Sequence, residues 1–250
     1  MAQRPPRNPN PLLLALEGRS LAEAITLVPA APVLLRAPRG DGHGVLVIPP
    51  FGGSNQITAI PRAYLRALGY RALAWKRHEV LSLHHLVTIG KAVLTDACDR
   101  AGGPVSLVGH SLGGIYAREL AREFSELVRS VITVGSPFAG DLKSNYVWPM
   151  YELATGTRID SIPTGFLEGM NEPPPVPSTA IYSRGDGVAS WWCCVDEEGP
   201  LSENVGVRGS HVGLLHNPMV LYVLADRLAQ APDGWRPFQV TGLRRAVYRT

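Results

Sequence analysis

Ser111 lies in the pentapeptide Gly109-His110-Ser111-Leu112-Gly113, which follows a short apolar run and precedes a helical pattern. A Gly-x-Ser-x-Gly turn between a strand and a helix lifts its serine clear of the sheet, because the two glycines leave room for a sharp, strained turn. The hydroxyl then lies at the N-terminus of the helix, where the backbone N–H of Leu112 points toward whatever the hydroxyl attacks. The motif therefore predicts a nucleophile at Ser111 and an oxyanion donor at Leu112.

Two residues that such a nucleophile requires follow later in the chain. A serine hydroxyl attacks poorly until a neutral imidazole takes its proton, and the imidazole needs a carboxylate to fix its tautomer. Asp186 and His211 each follow a predicted strand, so both would lie with Ser111 at the carboxyl edge of a parallel sheet. The sequence therefore predicts a catalytic triad of Ser111, Asp186 and His211.

Other acids and histidines compete for these two roles. Asp141, Asp160 and Asp196 could each supply the carboxylate, but carboxylates in loops are usually just solvated. His110 is expected to pack or hydrogen-bond at the turn, since adjacent side chains diverge. The histidines in polar turns or at a helix start are His43, His78, His84 and His85. None pairs with another His or Cys at metal-ligand spacing, so the sequence predicts neither a metal site nor a cofactor.

Strands and helices are predicted to alternate through the part of the chain that positions the triad. Apolar runs predict strands at Val45–Ile48, Arg71–Trp75, Val105–Val108, Val128–Val134, Thr179–Ser183 and Val205–Val207. Amphipathic segments predict helices at about residues 57–68, 84–100, 112–124 and 218–229. This order is typical of a doubly wound, mostly parallel α/β sheet. With 250 residues and 45% apolar content, we expect a single domain over residues 31–250.

Residues 1–30 are predicted to form a tail and a helical arm outside the sheet. The Pro-rich residues 1–10 predict disorder. From Leu12 to Val28 apolar residues recur at helical spacing, and Ser20 with Glu23 three residues later is typical of a capping box. We expect this arm to pack on the domain, with a membrane-surface or lid helix as the alternative. A short strand is predicted after it, at Val33–Arg36.

Composition excludes several classes of partner. The formal net charge is +3, and no run of Lys or Arg is interleaved with aromatic residues, so neither nucleic acid nor an anionic membrane is implied. The run Leu12–Leu16 is too short for a signal peptide or a membrane span. Cys98, Cys193 and Cys194 are an odd number, which argues against a disulfide framework and for inert thiols in a reducing compartment. We therefore expect a soluble, cytoplasmic protein.

The chain from about Gly44 to Leu228 resembles the α/β-hydrolase superfamily, and most of all its small bacterial lipases and esterases. The segments Gly109–Gly114 and Gly135–Gly140 (GSPFAG) resemble the nucleophile turn and the following strand end of triacylglycerol lipases. The triad order Ser, Asp, His is the one that this superfamily uses. The resemblance thus implies the same three roles for Ser111, Asp186 and His211.

One departure from the superfamily concerns the oxyanion donors. Where the family often has His-Gly after its first parallel strand, this chain has Pro49-Pro50. Proline has no N–H, so the donor implied by the resemblance is the N–H of Phe51, which would act together with that of Leu112. Gly52 and Gly53 would let the backbone approach a substrate closely.

A cap over Ser111 is implied by the position of residues 138–177, where this superfamily inserts one. The segment is rich in aromatic residues, Gly and Pro, and loops of that length inside a compact domain are usually functional. Phe138 and Trp148 in this segment, and Trp191 after Asp186, are predicted to line the substrate pocket, with a simple core role as the alternative.

The resemblance and the triad together imply a serine hydrolase that cleaves a carboxylic ester through an acyl-enzyme. Its substrate would be a small molecule with an apolar acyl or alcohol part. An acyltransferase is the first alternative, because the same acyl-enzyme transfers to an alcohol or amine when water is excluded. A non-catalytic, ligand-binding protein is the second, because a fold does not fix a function.

Overall fold

Six parallel strands form one sheet in the computed structural model, which describes residues 8–75, 83–140, 145–156, 158, 169–231 and 233–249. The strands are β1 (Gly44–Ile48), β2 (Arg71–Ala74), β3 (Val105–His110), β4 (Val128–Val134), β5 (Ser178–Ser183) and β6 (Ser202–Val207). The sheet order is β2-β1-β3-β4-β5-β6. Since the chain runs from β1 outward to β2 and then back to β3, the switch point lies between β1 and β3, where doubly wound sheets bind ligands.

Helices cover both faces of this sheet. They are α1 (Pro11–Ala15), α2 (Ser20–Ile25), α3 (Leu27–Leu34), α4 (Ala59–Ala67), α5 (Leu83–Ala101), α6 (Leu112–Glu123), α7 (Val147–Thr155) and α8 (Pro218–Leu228). Residues of α5 and α6 pack in the hydrophobic core on one face, and residues of α3, α4 and α8 pack in the core on the other. The predicted doubly wound α/β sheet is confirmed, and the six predicted strands and four predicted helices lie within a few residues of their expected bounds.

Burial on both faces explains why the central strands are continuous apolar runs. In β1, Leu46 and Ile48 pack in the core that contains α5 and α6. Val45 and Val47 point the other way, into the core that contains α4 and α8. A strand sandwiched between two helical layers needs apolar side chains at every position, and not only at alternate ones.

The N-terminal arm differs from its prediction in how it meets the domain. Leu21, Ile25 and Val28 are 80%, 70% and 76% exposed, so the apolar spacing of the arm does not mark a buried face. Ser20 does not cap α2, because the backbone is already helical at Arg19, and Glu23 contacts a distant loop instead of its own helix end. Around α2 the arm is attached to the domain through polar side chains, while Leu27 and Ala30 of α3 pack against the core.

The predicted strand at Val33–Arg36 is wrong. Val33 and Leu34 end helix α3, and a turn follows. Leu34 is buried in the core beneath α4, with Leu27 and Ala30 packed against the same core. The spacing of these three residues is that of one helical face, and the run was too short to separate this from strand alternation.

Part of the inserted segment between β4 and β5 is described. Its start lies along the loop after β5, where Asn145 pairs with Ala189 and the Tyr146 N–H donates to the carbonyl of Val188 at 2.9 Å. Helix α7 follows and ends at Gly156, which has a φ of +68°. No helix in the described residues is long and apolar enough to cross a membrane.

A buried ion pair ties α6 to the loop between β5 and β6, and the same arginine binds the end of the inserted segment. Arg118 of α6 binds Asp196 with 2.5 Å between Nη1 and Oδ2, and both side chains are buried. Its Nη2 also donates to the carbonyl of Glu172 at 2.8 Å, and its guanidinium lies 3.8 Å from the centre of the Phe138 ring. Asp196, expected as a solvated loop carboxylate, is therefore a buried structural partner.

We predict that Asp196→Asn destabilises the protein by about 3–5 kcal/mol, because it leaves a buried guanidinium without its counter-charge. Urea unfolding followed by circular dichroism measures the change. The matched control is Glu197→Gln, since Glu197 is exposed and should shift the free energy of unfolding by about 0.5 kcal/mol or less. A loss below about 1 kcal/mol in Asp196→Asn would mean that the carbonyls around Arg118 suffice without the carboxylate.

Candidate active site

Ser111 occupies a strained turn between β3 and α6. Its φ of 54° and ψ of −125° make it the one non-glycine residue with positive φ in the described ranges. Such a conformation costs about 1–3 kcal/mol and persists only where the surroundings impose it. A Cβ on Gly109 would lie 2.2 Å from the carbonyl oxygen of Gly113, and a Cβ on Gly113 would lie 2.4 Å from that of Pro49. Both glycines are therefore steric requirements of the turn, as the motif predicts.

Asp186 and His211 meet at the carboxyl ends of β5 and β6. Nδ1 of His211 lies 2.6 Å from Oδ2 of Asp186, and both residues are buried. The other carboxylate oxygen accepts the N–H groups of Val188 at 2.8 Å and Ala189 at 2.7 Å. These bonds fix the carboxylate, so Nδ1 of His211 carries a proton toward Asp186 and Nε2 is left to accept one.

The peptide between Val134 and Gly135 lies between Ser111 and this pair. The Ser111 N–H donates to the carbonyl of Val134 at 2.9 Å. A Cβ on Gly135 would lie 3.2 Å from Oδ2 of Asp186 and 3.3 Å from Nδ1 of His211. The structure thus brings all three predicted triad residues to the end of β4, although they come from three different strands.

His110 lies against His211 and acts on its backbone. The two rings are 4.8 Å apart, and Nε2 of His110 lies 3.0 Å from the carbonyl oxygen of His211, to which it donates. Burial, with the charge of His211 as a second cause, holds the pKa of His110 well below its ordinary value. His110 is therefore neutral, and its contact positions His211, in line with the packing role expected for it.

The pKa of His211 is raised above its ordinary value of 6.5. Burial of the imidazole lowers this pKa, but the charge and hydrogen bond of Asp186, together with the charge of Glu17, outweigh burial. The site therefore favours the imidazolium form, which is the form a general base reaches after it takes a proton.

The two predicted oxyanion donors lie at the switch point of the sheet. Leu112 is the first residue of α6, so its N–H has no acceptor within the helix. Phe51 lies in the turn after β1, which closes with a 2.9 Å bond from the Gly53 N–H to the carbonyl of Pro50. Strands β1 and β3 are neighbours with Ile48 opposite Gly109, so the two turns lie side by side.

The predicted pocket residues lie mostly in the core. Phe138 and Trp148 are fully buried. Trp148 meets Tyr151 edge-on with ring centres 5.6 Å apart, and Tyr151 lies 5.4 Å from the ring of Phe51. Helix α7 therefore reaches the oxyanion turn through Tyr151, a residue that the sequence reading did not select, and a role in substrate binding stays a prediction for Phe138 and Trp148.

Trp191 lies on the other side of the Asp186 loop. Its ring stacks on Tyr182 at 5.6 Å, and the guanidinium of Arg184 lies 4.7 Å from its centre. Tyr182 and Arg184 line a cavity of about 580 Å³ beside the N-terminal arm. Trp191 packs against a small cluster with Tyr182, whereas Phe138 and Trp148 belong to the core that contains α5 and α6. The competing acids Asp141 and Asp160 and the histidine His78 lie outside the described residues.

The three cysteines, Cys98, Cys193 and Cys194, are all buried, which limits their reactivity. None of them forms a disulfide in the described structure. Burial, with the nearby charge of Asp186 as a second cause, raises the pKa of the Cys194 thiol well above its ordinary value. A thiol in this state is a poor nucleophile, which agrees with the inert role expected for the adjacent pair.

Comparison with known proteins places residues 42–248 within the model of the "Alpha/beta hydrolase family". Lipase BlEst2 of Bacillus licheniformis superposes with a TM-score of 0.58 at 17% identity, covering 78% of this chain and 94% of that one. A structure of the metagenome-derived lipolytic enzymes LipS and LipT gives 0.56 at 14% identity, with 77% and 95% covered. The hydrolase MGS-MChE2, from a sediment metagenome of the Mar Chica lagoon, gives 0.53 at 19% identity, with 75% and 90% covered. No curated protein sequence matches the chain.

We predict that the imidazole of His211 titrates above pH 6.5, and that Asp186→Asn moves its pKa below that value. The carboxylate and Glu17 outweigh burial in the native protein, so removing the Asp186 charge leaves burial as the larger effect. Titration of the histidine resonances by NMR measures both values, with His211→Gln to assign the signal. An unchanged His211 pKa in Asp186→Asn would contradict the pairing.

Proposed function

The chain belongs to the alpha/beta hydrolase family, and from this premise we propose that it is a serine esterase. It would cleave carboxylic esters of small molecules that have an apolar acyl or alcohol part. The observation that carries the proposal is the strained backbone of Ser111 next to the 2.6 Å pair of Asp186 and His211. Backbone strain at one serine, beside a buried acid and imidazole, is what nucleophilic acyl transfer requires.

In the proposed reaction, Oγ of Ser111 forms a bond to the ester carbonyl carbon while its proton passes to Nε2 of His211. The carbonyl oxygen becomes an oxyanion, which accepts the N–H groups of Phe51 and Leu112. The bond to the alkoxy oxygen then breaks, and that oxygen takes the proton from His211 and leaves as the alcohol. Water repeats the sequence on the acyl-enzyme, which releases the carboxylic acid and restores Ser111.

The aromatic rings beside the Phe51 turn are the reason to propose a substrate with an apolar part. Phe51 is partly buried and contacts Tyr151, which in turn contacts Trp148. A carbonyl held by the Phe51 N–H would place its substituents next to these rings. Apolar area buried there stabilises the complex by roughly 0.8 kcal/mol per methylene. The superpositions on known hydrolases at 14–19% identity show the fold alone, and the proposed reaction class rests on this chain's own residues.

We predict that a fluorophosphonate probe labels the native protein at Ser111 and that Ser111→Ala abolishes labelling. In p-nitrophenyl ester hydrolysis, Ser111→Ala and His211→Ala should each nearly abolish turnover. The double variant should be hardly slower than either single one, because residues that act as a unit are non-additive. Losses that add on a logarithmic scale would contradict the triad. Turnover that depends on an added alcohol would make the protein an acyltransferase, and absence of labelling would make it non-catalytic.

We also predict the pH profile of the native enzyme. Only the neutral imidazole accepts a proton, so kcat/KM should rise with pH through the pKa of His211 in the free enzyme. Because that pKa lies above 6.5, half of the maximal kcat/KM should be reached above pH 6.5. Steady-state rates from pH 5 to 9 measure the profile, with assays on protein first checked for folding at each pH. A midpoint below 6.5 would contradict the raised pKa of His211, and a flat profile would rule out His211 as the base.

A further inference from the structure

Glu17 of the N-terminal arm binds the backbone of both triad loops. Its Oε1 accepts the N–H of Gly187 at 2.8 Å and that of His211 at 3.0 Å. Its Oε2 accepts the N–H of Val212 at 3.0 Å. One carboxylate thus joins the residue that follows Asp186 to the backbone of His211 itself, across 170 and 194 positions of sequence.

Glu23 and Arg19 extend this contact. Glu23 accepts the N–H of Ser210 at 2.9 Å and its hydroxyl at 2.7 Å. Nε of Arg19 donates to Glu23 at 3.1 Å, and its Nη2 donates to the carbonyl of Gly185. We call Glu17, Arg19 and Glu23 the arm clamp. It holds the residues on either side of Asp186 and the residues on either side of His211.

The arm approaches the two loops so closely that side chains at two of their glycines would collide with it. A Cβ on Gly187 would lie 2.4 Å from the backbone carbon of Leu13. A Cβ on Gly213 would lie 1.7 Å from Oε2 of Glu23. Glycine is therefore required at 187 for the arm backbone to bind as it does, whereas a side chain at 213 would displace the carboxylate of Glu23.

Apolar packing does not account for the attachment at this point. Leu21 and Ile25 of α2, which alternate with the clamp residues, are exposed to solvent. The carboxylates instead accept backbone N–H groups, and such charge-assisted bonds are stronger than neutral ones. The ionic groups of the arm therefore bind the two loops that carry Asp186 and His211.

We propose that the arm clamp is a positioning device for the triad, in which Glu17 fixes the backbone of Gly187 and His211 so that the bond between Asp186 and His211 is formed before substrate binds. The inference rests on the proposed serine esterase function. Glu17 touches neither substrate nor the reacting atoms, and acts through the residues that do.

Three ionisable groups in the described residues, Asp186, Glu17 and His110, interact with His211, and a fourth, His216, interacts with His110. Asp186 follows β5, His110 ends β3, Glu17 lies on the arm, and His216 lies in the helical turn after His211, bonded to the carbonyl of Ser20 at 2.9 Å. Glu17 and Asp186 are the two negative ones, and both raise the pKa of His211. Neutralising Glu17 should therefore lower the pKa of His211, whereas loss of an uncharged anchor would leave this pKa unchanged.

We predict that Glu17→Gln lowers kcat by about 10- to 100-fold with KM within about twofold, because one amide oxygen cannot replace two carboxylate oxygens and the base shifts from its productive position. The midpoint of the kcat/KM profile should also move to lower pH. The matched control is Glu126→Gln, since Glu126 is exposed at the start of β4, the opposite edge of the sheet. That variant should match the native enzyme in kcat, KM and midpoint.

Glu17→Asp separates the charge from the geometry. It keeps the carboxylate but is shorter by one methylene, so kcat should stay reduced while the midpoint of the pH profile returns to the native value. Assays are run well below the unfolding temperature of each variant, and active sites are counted by the stoichiometry of fluorophosphonate labelling. If Glu17→Gln does not fold, a native kcat in Glu17→Asp still overturns the proposal.

A measurement without catalysis distinguishes the failure of this inference from failure of the proposed function. In Ser111→Ala protein, adding Glu17→Gln should speed amide hydrogen exchange at Gly187, His211 and Val212 by about tenfold or more, as expected when a charged hydrogen bond is lost. Unchanged exchange overturns the clamp. Native protein without esterase activity or labelling overturns the function. Active protein in which Glu17→Gln and Glu126→Gln behave alike overturns the positioning role alone.

Discussion

The strained turn at Ser111 is the constraint on which the site depends. A φ of 54° at a serine costs about 1–3 kcal/mol, so it has to be imposed by a rigid frame. The frame is the pair of central strands β3 and β4, buried on both faces, and the bond from the Ser111 N–H to Val134. Glycine at 109 and 113 then lets the start of α6 lie against the ends of β1 and β3. The rigid centre of the sheet thus fixes the position of the Ser111 hydroxyl group.

The other two triad residues lie on loops, and loops need their own restraints. The β5 loop is fixed from inside by the two N–H groups that Asp186 accepts. The β6 loop is fixed by His110, which donates to the carbonyl of His211, and by Glu17 and Glu23 from outside. Each restraint is a hydrogen bond to backbone, which leaves the side chain of His211 free to bind Asp186 and to face the nucleophile.

The sequence predicted the frame well and the arm poorly, for different physical reasons. Strand β1 (Gly44–Ile48) could be predicted from the sequence because burial on both faces demands an apolar run. The arm is helical as predicted, but helical spacing of apolar residues is the same whether that face is buried or exposed, and here Leu21 and Ile25 are exposed. The burial of Asp196 could not be predicted from the sequence either, because its partner Arg118 is 78 residues away and only folding brings the two together.

The arm clamp also bears on how the base would work. Two negative charges near a buried imidazole raise its pKa, so fewer molecules hold the neutral base at a given pH. Those that do hold a stronger base, and in the proposed reaction the same charges would stabilise the imidazolium that forms as Ser111 attacks. Asp186 alone supplies this stabilisation in the minimal triad. Because Glu17 adds a second negative charge and also binds the backbone of the same loop, a single carboxylate on the arm affects both the position of the base and its proton affinity.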